Sequence, residues 1–169
     1  MHLQPYSGKR MVGWLCLLLS LVPLVLFTAC SAADGPLPQS IGAMRLEKVQ
    51  TGEEARREID RLHGKQVQFQ RGYIGTYVAD NGSGQLWVSV HDSESEAVEA
   101  IEKMDRGMKQ GNQESFYHFR KVMIEQRPVY LAVGMGKVHY FFQKGAKVVW
   151  LAVDPPLAKE AIRDTLGQI

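Results

Sequence analysis

A chain of 169 residues carrying 20 Lys and Arg against 18 Asp and Glu is close to neutral, which gives none of the net electrostatic footprint that a nucleic-acid partner normally needs. Both of the cations that precede Cys30, Lys9 and Arg10, lie in the first ten residues, and every acidic residue follows Cys30, so the chain from Cys30 onward is formally neutral. Only two cysteines occur, Cys16 and Cys30, too few for a disulfide framework; the fold has to rest on a hydrophobic core, which the residues after position 40 are numerous enough to supply as one domain.

The chain opens with a targeting pattern. Lys9 and Arg10 form a positive start, Met11 to Phe27 an uncharged apolar run, and Thr28-Ala29 a pair of small residues before Cys30. A short basic start, an apolar stretch and small residues at a cut site are what a signal peptidase reads. The stretch Leu26-Phe27-Thr28-Ala29-Cys30 resembles the N-terminus of bacterial lipoproteins, with Leu26 one step further out than the leucine of the usual pattern. The resemblance implies a signal peptide over 1–29, a diacylglycerol and a palmitate-type acyl chain on Cys30, and a location in the bacterial cell envelope. Ser31, and not Asp, follows the cysteine; in bacteria with two membranes this implies forwarding to the outer membrane, facing the periplasm. The competing reading is an uncleaved membrane anchor, which needs roughly 17–25 apolar residues; Pro23 and the small pair before Cys30 count against it.

Residues 30–40 contain Ser, Ala, Asp, Gly and two prolines, the composition of an extended tether. A single α+β domain is expected over 41–169. Thr51 and Glu54 have capping-box spacing, Ala55, Ile59 and Leu62 recur at helical spacing, and Gly64 supplies a stop. Val67 to Val78 reads as extended chain, turned by Asp80-Asn81-Gly82-Ser83-Gly84 into Leu86 to Val90. Ser93 with Glu96 opens a second helix whose apolar face is Ala97, Ile101, Met104 and Met108. Four strands follow, at Phe116–Ile124, Val129–Val133, Val138–Gln143 and Val148–Val153, with Val129–Phe142 as one long bent strand the alternative. Asp154 as N-cap and Pro155 at the first helical position begin a last helix striped by Leu157, Ala158, Ala161, Ile162 and Leu166. Together these predict an antiparallel sheet with helices packed mainly on one face. The run from Tyr77 through Trp87 to Ile101 parallels that from Tyr140 through Trp150 to Ile162, which points to a duplicated β-β-α unit, against the alternative of two unrelated units obeying the same packing grammar.

For function the sequence offers two classes. No nucleophile elbow, zinc-protease helix or phosphate-cradling glycine loop is present, so no catalytic residue, metal ligand or cofactor is assigned. Tyr140-Phe141-Phe142 places aromatic side chains on both faces of one strand. With Tyr130 nearby, this predicts an uncovered aromatic surface, carried by Tyr130, Tyr140 and Phe142, that receives an envelope protein or a small ligand. The alternative is a hydrolase or metal-dependent envelope enzyme built from His91, His118 and His139, with Asp92 beside the first, if the fold brings them together. His63, in the last turn of the first helix, reads as a capping residue.

Overall fold

A computed structural model of the chain describes residues 1–2, 35, 37–111 and 116–169. The expected signal and Cys30 therefore lie outside the described residues, apart from Met1 and His2. Along the chain run β1 (Ser40–Ile41), β2 (Met44–Thr51), α1 (Gly52–His63), β3 (Arg71–Ala79), β4 (Gly82–Val90), α2 (Glu94–Lys109), β5 (Phe116–Ile124), β6 (Arg127–Gly134), β7 (Lys137–Lys144), β8 (Lys147–Val153), a single 3-10 turn (Pro155–Leu157) and α3 (Ala158–Gln168). The eight strands form one curled antiparallel sheet in the order β1-β2-β3-β4-β8-β7-β6-β5. The architecture is α+β, as the alternating patterns predict.

Local chemistry explains most of the boundaries. Ser93 Oγ accepts from the Glu96 N–H at 3.2 Å and caps α2, while Gly64, at φ 63°, ends α1 in the left-handed conformation that glycine adopts without penalty. Between β6 and β7 both Met135 and Gly136 have positive φ, the mark of a two-residue hairpin, so β6 and β7 are separate strands and not one bent strand. Two expected caps are not made. Thr51 ends β2 and gives α1 no side-chain bond, and Glu54 accepts instead from Gln50 Nε2 at 2.7 Å. Asp154 likewise turns away from the helix that follows it, to Ser83 and Lys137.

The sheet is covered on both faces. Strand alternation sends Ile74, Trp87, Trp150, Phe141 and Tyr130 to one side, where Ala55 and Ile59 of α1 and Ala97 and Ile101 of α2 pack. The other side carries Tyr77, Leu86, Val88, Tyr140, Phe142, Val149 and Leu151 under α3, whose Ala158, Ala161, Ile162 and Leu166 complete the larger core. The expectation of helices mainly on one face thus describes α1 and α2; α3 takes the opposite side. The reason lies in the chain itself: strand β8 is apolar at Val148, Val149, Leu151, Ala152 and Val153, the near-continuous pattern of a strand buried on both faces. Part of the expected tether also belongs to the domain, since Leu37 packs on the larger core, Pro38 O accepts from Tyr77 Oη at 2.8 Å, and Ser40 starts β1.

Candidate functional site

On the face shared by α1 and α2, one row of side chains crosses the sheet. Tyr130 pairs with Phe141, Phe141 with Trp150, Trp150 with Trp87, and Trp87 with Ile74. Phe119, Tyr130, Phe141 and Trp150 lie nearly parallel, with centroids 5.9, 4.8 and 4.9 Å apart in turn. Offset stacking at these distances adds to the burial of each ring. Lys121 Nζ also lies over the Tyr130 ring, 5.3 Å from its centroid.

Helix α1 packs over β2 and β3, and α2 over β7 and β8, so β4 runs between them. Its residues on this face, Ser83, Gln85, Trp87 and Ser89, are all half-buried, whereas Gly84, Leu86 and Val88 on the other face are buried. Thr76 and Trp150, the cross-strand partners of Gln85 and Trp87, are also half-buried. The result is a polar and aromatic strip along β4, flanked by two helices. Trp87 Nε1 is shielded from solvent without an acceptor among the described residues, an omission that costs about 1–3 kcal/mol unless something supplies one.

The residues predicted from sequence fall elsewhere. Tyr130 and Tyr140 are 8% and 6% exposed and Phe142 only 2%, and the first belongs to the α2 side while the other two lie under α3. They do not form one surface. Both faces of β7 are covered because helices pack on both sides of the sheet, so the uncovered aromatic surface expected at these three residues is not there. Trp87 and Trp150, which the sequence marks as matching positions of the proposed repeat, were not read as a site, and Gln85 and Ser89 beside them were passed over. Their signal was the alternation Ser83, Gln85, Trp87, Ser89 against Leu86 and Val88, the pattern of a strand half open on one face.

The histidines stay apart. Gln85 and His139 both pair with Ala152, and His91 lies six residues beyond Gln85 on the continuing chain, about 20 Å away at roughly 3.3 Å per residue. His118 is exposed at φ 54° in an irregularity of the edge strand β5. Among the described residues no group of three or more His, Cys, Asp or Glu is placed to hold a metal ion. His63 Nδ1 lies 2.8 Å from Ile59 O, a bond within its own helix end that fits the capping role.

His139 is engaged on both ring nitrogens. Trp150 Nε1 donates to its Nδ1 at 3.1 Å, and its Nε2 lies 3.0 Å from Gly134 O. Because the indole can only donate, Nδ1 must be the bare nitrogen and Nε2 the protonated one. Burial holds its pKa below the ordinary imidazole value; Lys137 acts in the same direction, and the Gly134 carbonyl against it. His91 is shifted the same way by burial, opposed by Glu96 and Asp92. The unfolded chain therefore binds protons that the folded one refuses as pH falls below about 6.5, so the stabilisation is complete above that pH and declines beneath it. We expect the melting temperature to fall between neutral and mildly acid pH, and His139→Gln, which can still donate and accept, to flatten part of that slope. An identical pH profile for the variant would show that His139 contributes nothing to the pH dependence of stability.

A polar clasp closes one end of the strip. Asp154 accepts from the Ser83 N–H and from Lys137 Nζ, both at 2.7 Å, and Lys137 Nζ also reaches Ser83 Oγ at 3.2 Å. The Lys137 ammonium, followed by the Ser83 N–H, holds the Asp154 carboxyl below its usual range. A serine beside a lysine suggests nucleophile and base, but Ser83 Oγ and Lys137 Nζ both donate to Asp154, at 3.3 and 2.7 Å, and the cluster fastens the β3–β4 turn to β7 and β8. A shallow, open depression on the far side is lined by Gly42, Pro156, Lys159, Glu160, Arg163 and Asp164.

Compared with family models, curated proteins and solved structures, the chain matches none. Among the described residues no helix is long and apolar enough to cross a membrane.

Proposed function

We propose that the chain is a membrane-anchored lipoprotein of the bacterial cell envelope, lipidated at Cys30, whose domain works by binding an envelope protein or a small apolar ligand. In a bacterium with two membranes it would sit on the outer membrane and face the periplasm. The observation that carries the binding part is the strip along β4: Trp87 and Trp150 half-buried side by side, Gln85 and Ser89 offering polar groups beside them, and Trp87 Nε1 without an acceptor among the described residues. Aromatic surface with a few convergent polar groups is what ligand and partner sites are made of. The enzyme reading built on His91, His118 and His139 draws no comparable support, because two of the three are engaged in bonds of their own and stand far apart. A duplicated β-β-α unit fits this reading for the facing Trp87 and Trp150 strands; the helices that follow them pack on opposite faces.

Ser89→Arg and Gln85→Arg place a long cation in the strip without removing a core side chain. Each should abolish recovery of the partners that wild-type protein brings down from solubilised membranes, while the melting temperature stays within the small range typical of surface changes. Unchanged partner recovery by a folded Ser89→Arg protein would remove the strip from the binding account.

A further inference from the structure

A second surface lies on the α3 face, at the end of the sheet that carries the β5–β6 and β7–β8 turns. Arg71 pairs with Val90, Val90 with Lys147, and Lys147 with Lys144. Arg127 comes level with Lys144, because each stands three residues from the paired Tyr130 and Phe141. Strand alternation puts all four cations on one face in a single cross-strand row. Among the described residues none of the four pairs with an Asp or Glu side chain. Like charges directly opposite one another destabilise a sheet; partial desolvation, followed by the charges of Arg127 and Lys147, holds the Lys144 ammonium below its ordinary pKa.

Helix capping explains half of the row. Arg127 Nη1 donates to Leu166 O at 2.7 Å and Lys147 Nζ to Ile169 O at 3.4 Å, where the carbonyls at the end of α3 attract cations. Lys144 and Arg71 donate no side-chain hydrogen bond to the described residues, and Arg71 is exposed. Of the acids that flank these strands, Glu94 accepts from Gln143 on the opposite face, Glu125 is two residues before Arg127, and Asp92 is two residues after Val90.

The chain enters the domain at this same end. Gly35 lies against the Tyr73 ring, where an added Cβ would be 3.7 Å from Cε1, and Tyr73 is two residues from Arg71 on the same face of β3. Only four residues stand between Cys30 and Gly35, a reach of at most about 18 Å. We infer that the row Arg71, Lys147, Lys144 and Arg127 docks the domain on anionic phospholipid headgroups of the membrane that holds Cys30. This rests on the anchoring reading: a domain tied that closely brings its cationic end to within a few screening lengths of the headgroups, where each Lys or Arg is attracted appreciably. The row would then fix which side of the domain faces the bilayer and leave the β4 strip, on the other face of the sheet, open to partners.

The test uses the protein purified from bacterial membranes and placed in nanodiscs of phosphatidylcholine alone or mixed with phosphatidylglycerol. An amine-reactive reagent should label Lys144 and Lys147 at least about fivefold more slowly in the anionic discs, with the difference lost in high salt and Lys103 on α2 unaffected. Lys144→Gln combined with Arg71→Gln, neither of which holds α3, should remove the protection of Lys147. Equal labelling in the two kinds of disc would overturn the inference, and so would equal protection by inorganic phosphate in phosphatidylcholine discs, which would assign the row to soluble anions. The mass of the Cys30 peptide from the same sample reads the anchoring separately: a missing acyl group counts against anchoring alone, since the contrast between lipid compositions is measured however the chain is held.

Discussion

Phe141→Ala should destabilise the domain by about 3–5 kcal/mol, the cost of removing a fully buried aromatic side chain from a core that relaxes only in part. Phe141 is 0% exposed and is stacked between Tyr130 and Trp150 on the α2 side of β7, so its loss opens a void in the middle of the aromatic row. Trp87→Ala should cost less despite the larger ring. Trp87 is half-buried and its indole N–H finds no acceptor among the described residues, so truncation also removes a buried unsatisfied donor. Denaturant melts of the two variants measure the ordering directly. Equal costs would mean that the strip along β4 is as closed as the core beneath α2.

Cys30→Ser should move the protein out of the stably anchored membrane fraction or leave it unprocessed. A diacylglycerol with a further acyl chain exceeds the two signals that lasting attachment requires, at about 0.8 kcal/mol per buried methylene, so wild-type protein should stay with membranes through high-salt washing. Metabolic palmitate labelling reads the modification itself. Label retained by the Cys30→Ser protein would show that the attachment is elsewhere.

Much of the fold was legible because its signals are local. Gly64, Ser93 with Glu96, and the sharp turns at Asp80-Asn81 and Gly145 set the helix ends and hairpins that periodicity predicted. Strands β1 and β2 were not read, because Arg45, Glu47 and Lys48 dilute the β pattern of Met44 to Thr51 and an irregularity between Leu46 and Lys48 breaks its alternation, leaving Val49 46% exposed. The placement of α3 was equally hidden: its apolar stripe fits either face of a sheet whose central strand β8 is apolar on both. From that one ambiguity follows the displacement of the candidate site, since Tyr140 and Phe142 become core once α3 covers them, and the half-open surface passes to β4. The pairing of Trp87 with Trp150 depends on β4 lying beside β8, sixty-odd residues later in the chain, a long-range choice that no local pattern encodes.

The binding account is tested most directly by a photo-crosslinking residue in place of Gln85, introduced in the full chain and activated in intact cells, with Glu102 on the outer side of α2 as the comparison position. The account predicts a defined adduct from position 85 that is absent from position 102 and is lost when Ser89→Arg is added. No adduct from position 85, or the same adducts from both positions, would contradict it.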